Sequence, residues 1–422
     1  MPPEKFRHST AKGTAAPSGF RNRSLFLLFT GAALLIILGA AGDSKPRQDH
    51  PRQKLAKPRQ LDKSIQWRRN PKTGELELVQ LAAPAPDEDA APVPPAPRVI
   101  RGPVTLLVPI TCSVFASDGT PLRDLQPKNF RVYDDGVERP LLIFDRPSQD
   151  PARVALVIDA SPSVLRDSGE MKQAAGALIE GLAPADELAV VDFSAHTYLQ
   201  SGFTDVRELL RRALDRVDVR ELLGDTGGSN IYEAVYLTAH ELFVTPFDRK
   251  AIVLLTDGQD SGLGLTLDPD SAMPRTGAAD NRLTFDDVTR ELAAKDIQIF
   301  VISTENRPKP LTPAMFAAHR GATFLTGDAR KSGIPPYTLY LAEIVRRSGG
   351  EIYFLHESGS LAAAFSQIAQ RVGLEYTLGI SPAPNSPRIE EPHFGWHQLR
   401  VVTEGVGDSS VVHRSAYYVP AQ

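Results

Sequence analysis

The chain has 422 residues, 42% of them apolar and 23% charged, with a formal net charge of −4. That length carries two or three domains with a sizeable core, and the 35 prolines imply long linker or irregular stretches beside it. Charge is unevenly placed: residues 1–72 hold 15 Lys/Arg against 4 Asp/Glu, a net +11, and the remainder carries −15, so the main body is acidic, which argues against nucleic acid as its ligand. Cys112 is the single cysteine, so no disulfide scaffold exists. Its alternation with Ile110 and Val114 marks a buried structural thiol rather than a nucleophile.

Residues 1–24 are polar and basic, and residues 25–42 form an apolar run of 18 residues without a charge. Such a run is near the lower limit for spanning a bilayer, and Ala40-Ala41-Gly42 is small enough to be a cleavage site. The expectation is a retained transmembrane anchor, with a signal peptide cleaved near Gly42 as the alternative. By the positive-inside rule residues 1–24 stay in the cytoplasm and all that follows is exported, to the periplasm or cell surface. Residues 43–101 read as a linker and stalk. Within it, 43–63 is a basic, disordered juxtamembrane stretch. Ile65 to Leu81 make a small hairpin about Asn70 to Gly74. Ala82 to Pro97, with six prolines, is an extended spacer.

Residues 102–148 alternate as short strands at 104–115, 130–134 and 141–144, with a turn signal at Asp134-Asp135-Gly136. Residues 151–373 then alternate strand and helix. Strands are expected at 154–159, 188–193, 197–202, 251–257, 297–303 and 351–355. Helices are expected at 169–182, 205–217, 230–243, 285–295, 338–348 and 361–372. That order predicts an α/β class fold, a doubly wound and mostly parallel sheet with helices on both faces. Two long interruptions, 261–283 and 305–336, exceed ordinary connections. Asp268 and Asp270 in the first lack EF-hand spacing and read as a solvated loop. Residues 374–422 return to strands, at 375–381, 397–403 and 411–419. Neither β segment has enough strands to stand alone, so the two flanks are expected to pair into one β-sandwich that carries the α/β domain as an insertion.

Val154 to Ser163 is the stretch with chemistry in it. An apolar strand breaks into Asp159, Ser161 and Ser163, oxygen donors that suit a hard divalent cation. Taken alone, Asp159 or Ser161 serves equally well as a helix cap. Ligands of open parallel sheets bind at the carboxyl ends of strands where the strand order reverses. Asp257 ends the strand expected beside Asp159, and Ser229 sits in the Gly227-Gly228-Ser229 turn before helix 230–243. Three loops therefore bring Asp159, Ser161, Ser163, Ser229 and Asp257 to one rim. His393 and His397, four apart in strand or irregular sequence, lie about 13 Å from each other, and read as surface or partly packed residues.

With Asp159-Ala-Ser161-Pro-Ser163, Gly227-Gly228-Ser229 and Thr256-Asp257-Gly258 in place, the chain resembles the von Willebrand factor A domains that carry a metal-ion-dependent adhesion site. Phe130 to Gly136 and Ala416 to Pro420 resemble the bacterial VWFA-related type in particular, and the likeness covers residues 100–420. It implies a Rossmann-like fold and a Mg²⁺ ion, or Mn²⁺ or Ca²⁺. Ser161, Ser163 and Ser229 would supply hydroxyls, with Asp159 and Asp257 binding directly or through water. Ser229 stands where the family has threonine, Thr226 is a nearby substitute, and Pro162 stands where glycine is common. Asp260 is expected to be a neighbour rather than a ligand.

The implied function is an extracytoplasmic, metal-dependent adhesion or interaction module that binds a protein ligand through an Asp or Glu carboxylate, not an enzyme. Two other readings remain open: a metal-free scaffold with a degenerate site, and a Mg-dependent hydrolase. The second lacks the further Asp of aspartyl phosphotransferases, since Ser161 holds that position, and no Gly-x-x-x-x-Gly-Lys or Gly-x-Ser-x-Gly motif occurs.

Overall fold

The computed structural model describes residues 54–80 except 64 and 72–73. It also describes 107–419 except 148–150, 166–167, 221–223, 226–227, 245–248, 264–265, 268–273, 276–281, 313–314, 316–322, 326–332, 383, 387–388 and 393–394. The apolar run 25–42, the spacer 82–97, Thr226, Asp268, Asp270 and His393 lie outside the described residues. Among those described, no helix is long and apolar enough to cross a membrane.

Seven strands form the central sheet, in the spatial order Arg59–Gln60, Thr197–Thr204, Glu187–Phe193, Ala152–Asp159, Arg249–Thr256, Ile297–Ser303 and Ile352–Phe354. The last five are mutually parallel, and the first two add antiparallel at one edge. Ala152–Asp159 shows why its sequence is continuously apolar. Val154, Leu156 and Ile158 face one core together with the helices Ser168–Gly181, Arg207–Asp215 and Leu361–Arg371. Ala155 and Val157 face the other, under Ile231–Leu242, Phe285–Lys295 and Pro336–Ser348. A strand covered on both sides has no solvent face to alternate with. Local signals set the helix ends. Thr284 and Asp287 exchange hydrogen bonds in a capping box, and Gly349 at φ +88 closes Pro336–Ser348.

The flanking segments build two four-stranded sheets. One runs Ser409–His413, Val108–Ala116, Tyr376–Ile380, Ile143–Asp145; the other runs Ala416–Val419, Gly395–Thr403, Phe130–Asp134, Val137–Arg139. Ile110, Cys112, Phe130, Val132, Tyr376, Leu378, Leu399 and Val401 fill a single core between them. The flanks thus close on each other as one sandwich, and Cys112 is fully buried in it, its thiol pushed up by burial.

Two expectations need correction. Residues 54–63 are not part of a free linker: Arg59–Gln60 pairs with Tyr198 and Leu199, and Leu61 is buried. A two-residue edge strand has too little pattern to announce itself, and its basic neighbours stay in solvent while the backbone pairs. The expected hairpin follows, as Ile65–Arg69 with Leu76–Gln80, and it packs onto the helices through Trp67 on Tyr236 and Arg69 on Asp287 at 2.8 Å. The expected strand 411–419 is two strands in different sheets. Between them Arg414 turns inward, to the Ala293 carbonyl at 2.9 Å and Asp296 at 3.3 Å, which anchors the crossing chain to the α/β unit.

Candidate metal centre

Ala152–Asp159 and Arg249–Thr256 lie side by side, with Glu187–Phe193 beyond the first of them. This is the place where the strand order reverses. Asp159 ends the first strand fully buried, and burial pushes its carboxyl up from the usual carboxylate range. Hydrogen bonds from Ser161 and Thr256 oppose that shift, while the charge of Asp257 adds to it. Asp159 Oδ1 accepts from the Ser161 amide at 3.0 Å and from Ser229 Oγ at 2.9 Å. Its Oδ2 accepts from Thr256 Oγ1 at 2.9 Å. On the outer side Ser161 Oγ lies 3.1 Å from Ser163 Oγ, and Ser163 Oγ donates to Asp257 Oδ2 at 2.8 Å. Asp257 Oδ1 accepts from the Gln259 amide at 2.9 Å.

All five residues singled out in the sequence therefore meet. Asp159, Ser161, Ser229 and Asp257 are buried, and Ser163 is exposed, so the cluster opens to solvent at one point. The loops are shaped for this. Pro162 sits second in a turn closed by the Leu165 amide on the Ser161 carbonyl at 2.9 Å, a position that its fixed φ suits. Gly228, at φ +88, is a position a side chain could not take, because a Cβ there would stand 2.8 Å from Ser261 Cβ. The Ser261 amide binds the Ser229 carbonyl at 2.7 Å, locking two loops together. Asp260 faces away from the rim, taking the Leu263 amide at 2.7 Å and the Tyr232 amide at 3.4 Å near the start of Ile231–Leu242.

Sequence reasoning missed two supports. Thr256 was read only as part of the Thr-Asp-Gly strand end, yet it is what holds Asp159 Oδ2. Arg220 was not singled out: it pairs with buried Asp192, stacks over Tyr198 at 4.0 Å, and donates its amide to the Ala160 carbonyl at 3.0 Å. The Arg220 carbonyl accepts from the Asp225 amide at 3.0 Å. One residue thus ties the Asp159 loop to the turn that carries Ser229. No motif marks it, because its partners are remote in sequence.

The donor set fits a hard divalent cation. The Ser163 and Ser229 hydroxyls give their protons to carboxylates, which leaves oxygen lone pairs free for a metal.

The family model for the von Willebrand factor type A domain matches residues 154–259. The chain carries a domain of that family, and the match contains every residue of the cluster. No curated protein matches the chain. Among solved structures, BatB from Bacteroides thetaiotaomicron is 19% identical with a TM-score of 0.36, over 52% of this chain and 98% of that one. A von Willebrand factor type A protein from Catenulispora acidiphila is 11% identical at 0.36, over 73% of each chain. Proximal thread matrix protein 1 from the mussel byssus, in a structure with a zinc-occupied MIDAS motif, is 15% identical at 0.35, over 55% of this chain and 47% of that one.

Proposed function

We propose that this protein is an extracytoplasmic interaction module that binds a partner protein through a divalent cation, with Mg²⁺ as the first candidate and Mn²⁺ or Ca²⁺ as the others. The observation that carries this reading is the direction of the hydroxyl protons. Ser229 Oγ donates to Asp159, and Ser163 Oγ donates to Asp257. Their oxygens are left as neutral donors at a rim that opens beside exposed Ser163. A cation held mainly by neutral hydroxyls keeps most of its charge and an open position that an Asp or Glu carboxylate of a partner can fill. Asp159 accepts from three donors, so it serves to hold the hydroxyls rather than to attack a substrate, and we read the site as binding rather than catalytic. The basic residues 1–24 and the apolar run 25–42 support attachment at a membrane with the folded part outside.

The test is capture of partners from membrane fractions by the full-length chain, with and without excess EDTA, beside Asp159→Ala. Partners should be retained only by the wild-type chain with metal present. Equal capture in EDTA overturns the reading. A metal-free scaffold is the second reading, favoured by the fact that both carboxylates are already satisfied by hydroxyls and amides. Calorimetric titration with Mg²⁺ and Mn²⁺ separates the two, since a scaffold shows no binding heat.

A further inference from the structure

We propose a second metal site, remote from the first, formed in the sandwich by Asp134, Asp135 and His397 and suited to Zn²⁺. Asp134 ends the strand Phe130–Asp134 and Asp135 begins the turn after it, while His397 comes from Gly395–Thr403, more than 250 residues later in the chain. His397 Nδ1 lies 3.2 Å from Asp134 Oδ1 and 2.9 Å from Asp135 Oδ2. Three ligands each about 2.0–2.1 Å from one zinc ion, at right to tetrahedral angles, stand about 3.0–3.5 Å from one another, and the two distances from His397 Nδ1 are of that size. One ligand atom from each of Asp134, Asp135 and His397 lies within 4.8 Å of the other two.

The surroundings hold each of them in place. The His397 ring is fully buried, stacked on Tyr417 with centroids 4.9 Å apart. Tyr417 Oη donates to Asp134 Oδ1 at 2.9 Å, and Arg139 stands 3.5 Å from Asp134 Oδ2. Asp135 is held at φ +48, a left-handed conformation, and its Oδ1 accepts the Gln398 amide at 2.8 Å. That leaves Oδ2 turned toward the imidazole. Arg139 offsets one of the two carboxylates, and the second faces a ring nitrogen that is a metal donor when neutral. Outer partners of this kind, fixing the orientation of imidazole and carboxylate, are characteristic of metal ligation. Imidazole with carboxylates favours zinc over magnesium. Asp135 is 37% exposed, which provides an entrance and a place for a water ligand.

The rival is a plain ion pair between the two aspartates and a protonated His397. Full-length Asp159→Ala chain, in which the first site is disabled, is loaded with Zn²⁺, desalted and assayed for bound zinc and thermal midpoint. The expected result is one equivalent of zinc and a raised midpoint, both lost in Asp159→Ala/Asp135→Asn. Asparagine accepts the left-handed backbone at 135, so loss of zinc there is not loss of fold. No bound zinc in Asp159→Ala, or zinc undiminished in the double variant, overturns the proposal.

Discussion

Thr256 gives its hydroxyl proton to Asp159 Oδ2 at 2.9 Å across the two central strands, and takes the Gly258 amide at 3.0 Å on the same oxygen. One hydroxyl therefore orients the innermost carboxylate and starts the turn that presents Asp257. Thr256→Val keeps the shape and removes both contacts. Its metal affinity by calorimetry should fall about 10–100-fold, the usual effect of losing a group that orients a ligand, while its circular dichroism stays native.

Ser229 stands just before the helix Ile231–Leu242, and the structure gives its hydroxyl a defined partner in Asp159. Ser229→Ala should abolish measurable Mg²⁺ binding. Ser229→Thr should restore it to within a few-fold of wild type, because only the hydroxyl is required. Equal loss in both variants would show that the methyl cannot be seated there.

Gly228 is fixed by conformation as well as by space. Gly228→Ala should lower unfolding free energy by at least about 1–2 kcal/mol for the left-handed backbone alone. It should also weaken metal binding, since the clash with Ser261 moves Ser229. Denaturant unfolding and calorimetry on the same sample read both effects.

Glu343 is buried beneath Arg346 and Arg347, which join the α/β unit to the sandwich through Ser415 and Trp396. Burial alone would raise its pKa. The Arg346 hydrogen bond and the charges of both arginines overcome that and hold it at about 2, below the ordinary 4.5. A depressed carboxyl stabilises above its unfolded pKa and loses that contribution as pH falls through the folded one. Stability should therefore drop by about 3 kcal/mol between about pH 4.5 and pH 2. Glu343→Gln should flatten that limb of the unfolding curve, at the cost of lower stability at neutral pH.

Glu375 behaves in the opposite sense. Burial raises its pKa from 4.5 to about 8, against the pull of the Arg249 charge. The folded state keeps a proton that the unfolded chain has lost, so stability is full below about pH 4.5 and declines as pH rises to about 8. Glu375→Gln should remove that decline and make the protein more stable than wild type at pH 9 by up to about 5 kcal/mol. Thermal unfolding across the range checks the sign.

Much of this was legible in the residues, and the exceptions have physical causes. Asp159, Ser161, Ser163, Ser229 and Asp257 were readable because each lies at a strand end or in the loop that joins a strand to a helix, and the alternating pattern places those loops on one rim. The sandwich was readable from need, since neither flank could close a core alone. Arg59–Gln60 was not, because a two-residue edge strand draws its stability from an existing sheet rather than from its own pattern. Arg414 was hidden in the same way: a buried arginine is legible only through carbonyls and an aspartate contributed from elsewhere. His397 was read as exposed or partly packed and is fully buried, because its surroundings come from Asp134 and Tyr417, which no local window contains.

The pairing of the two flanks also dictates an order of assembly. Val108–Ala116 has its partners in Tyr376–Ile380 and Ser409–His413, and Phe130–Asp134, paired locally with Val137–Arg139, has Gly395–Thr403 on its other edge. On a growing polypeptide these early strands expose open edges until Tyr376–Ile380, Gly395–Thr403 and Ser409–His413 have emerged. The α/β unit between them can form beforehand, and in doing so it draws the two ends of a very long loop together, which lowers the entropy cost of closing it. A nascent chain arrested before residue 409 should hold a folded rim of Asp159, Ser229 and Asp257 on an unfinished, aggregation-prone support. Ser409–His413 and Ala416–Val419 are thus the strands that cover edges left open earlier in synthesis.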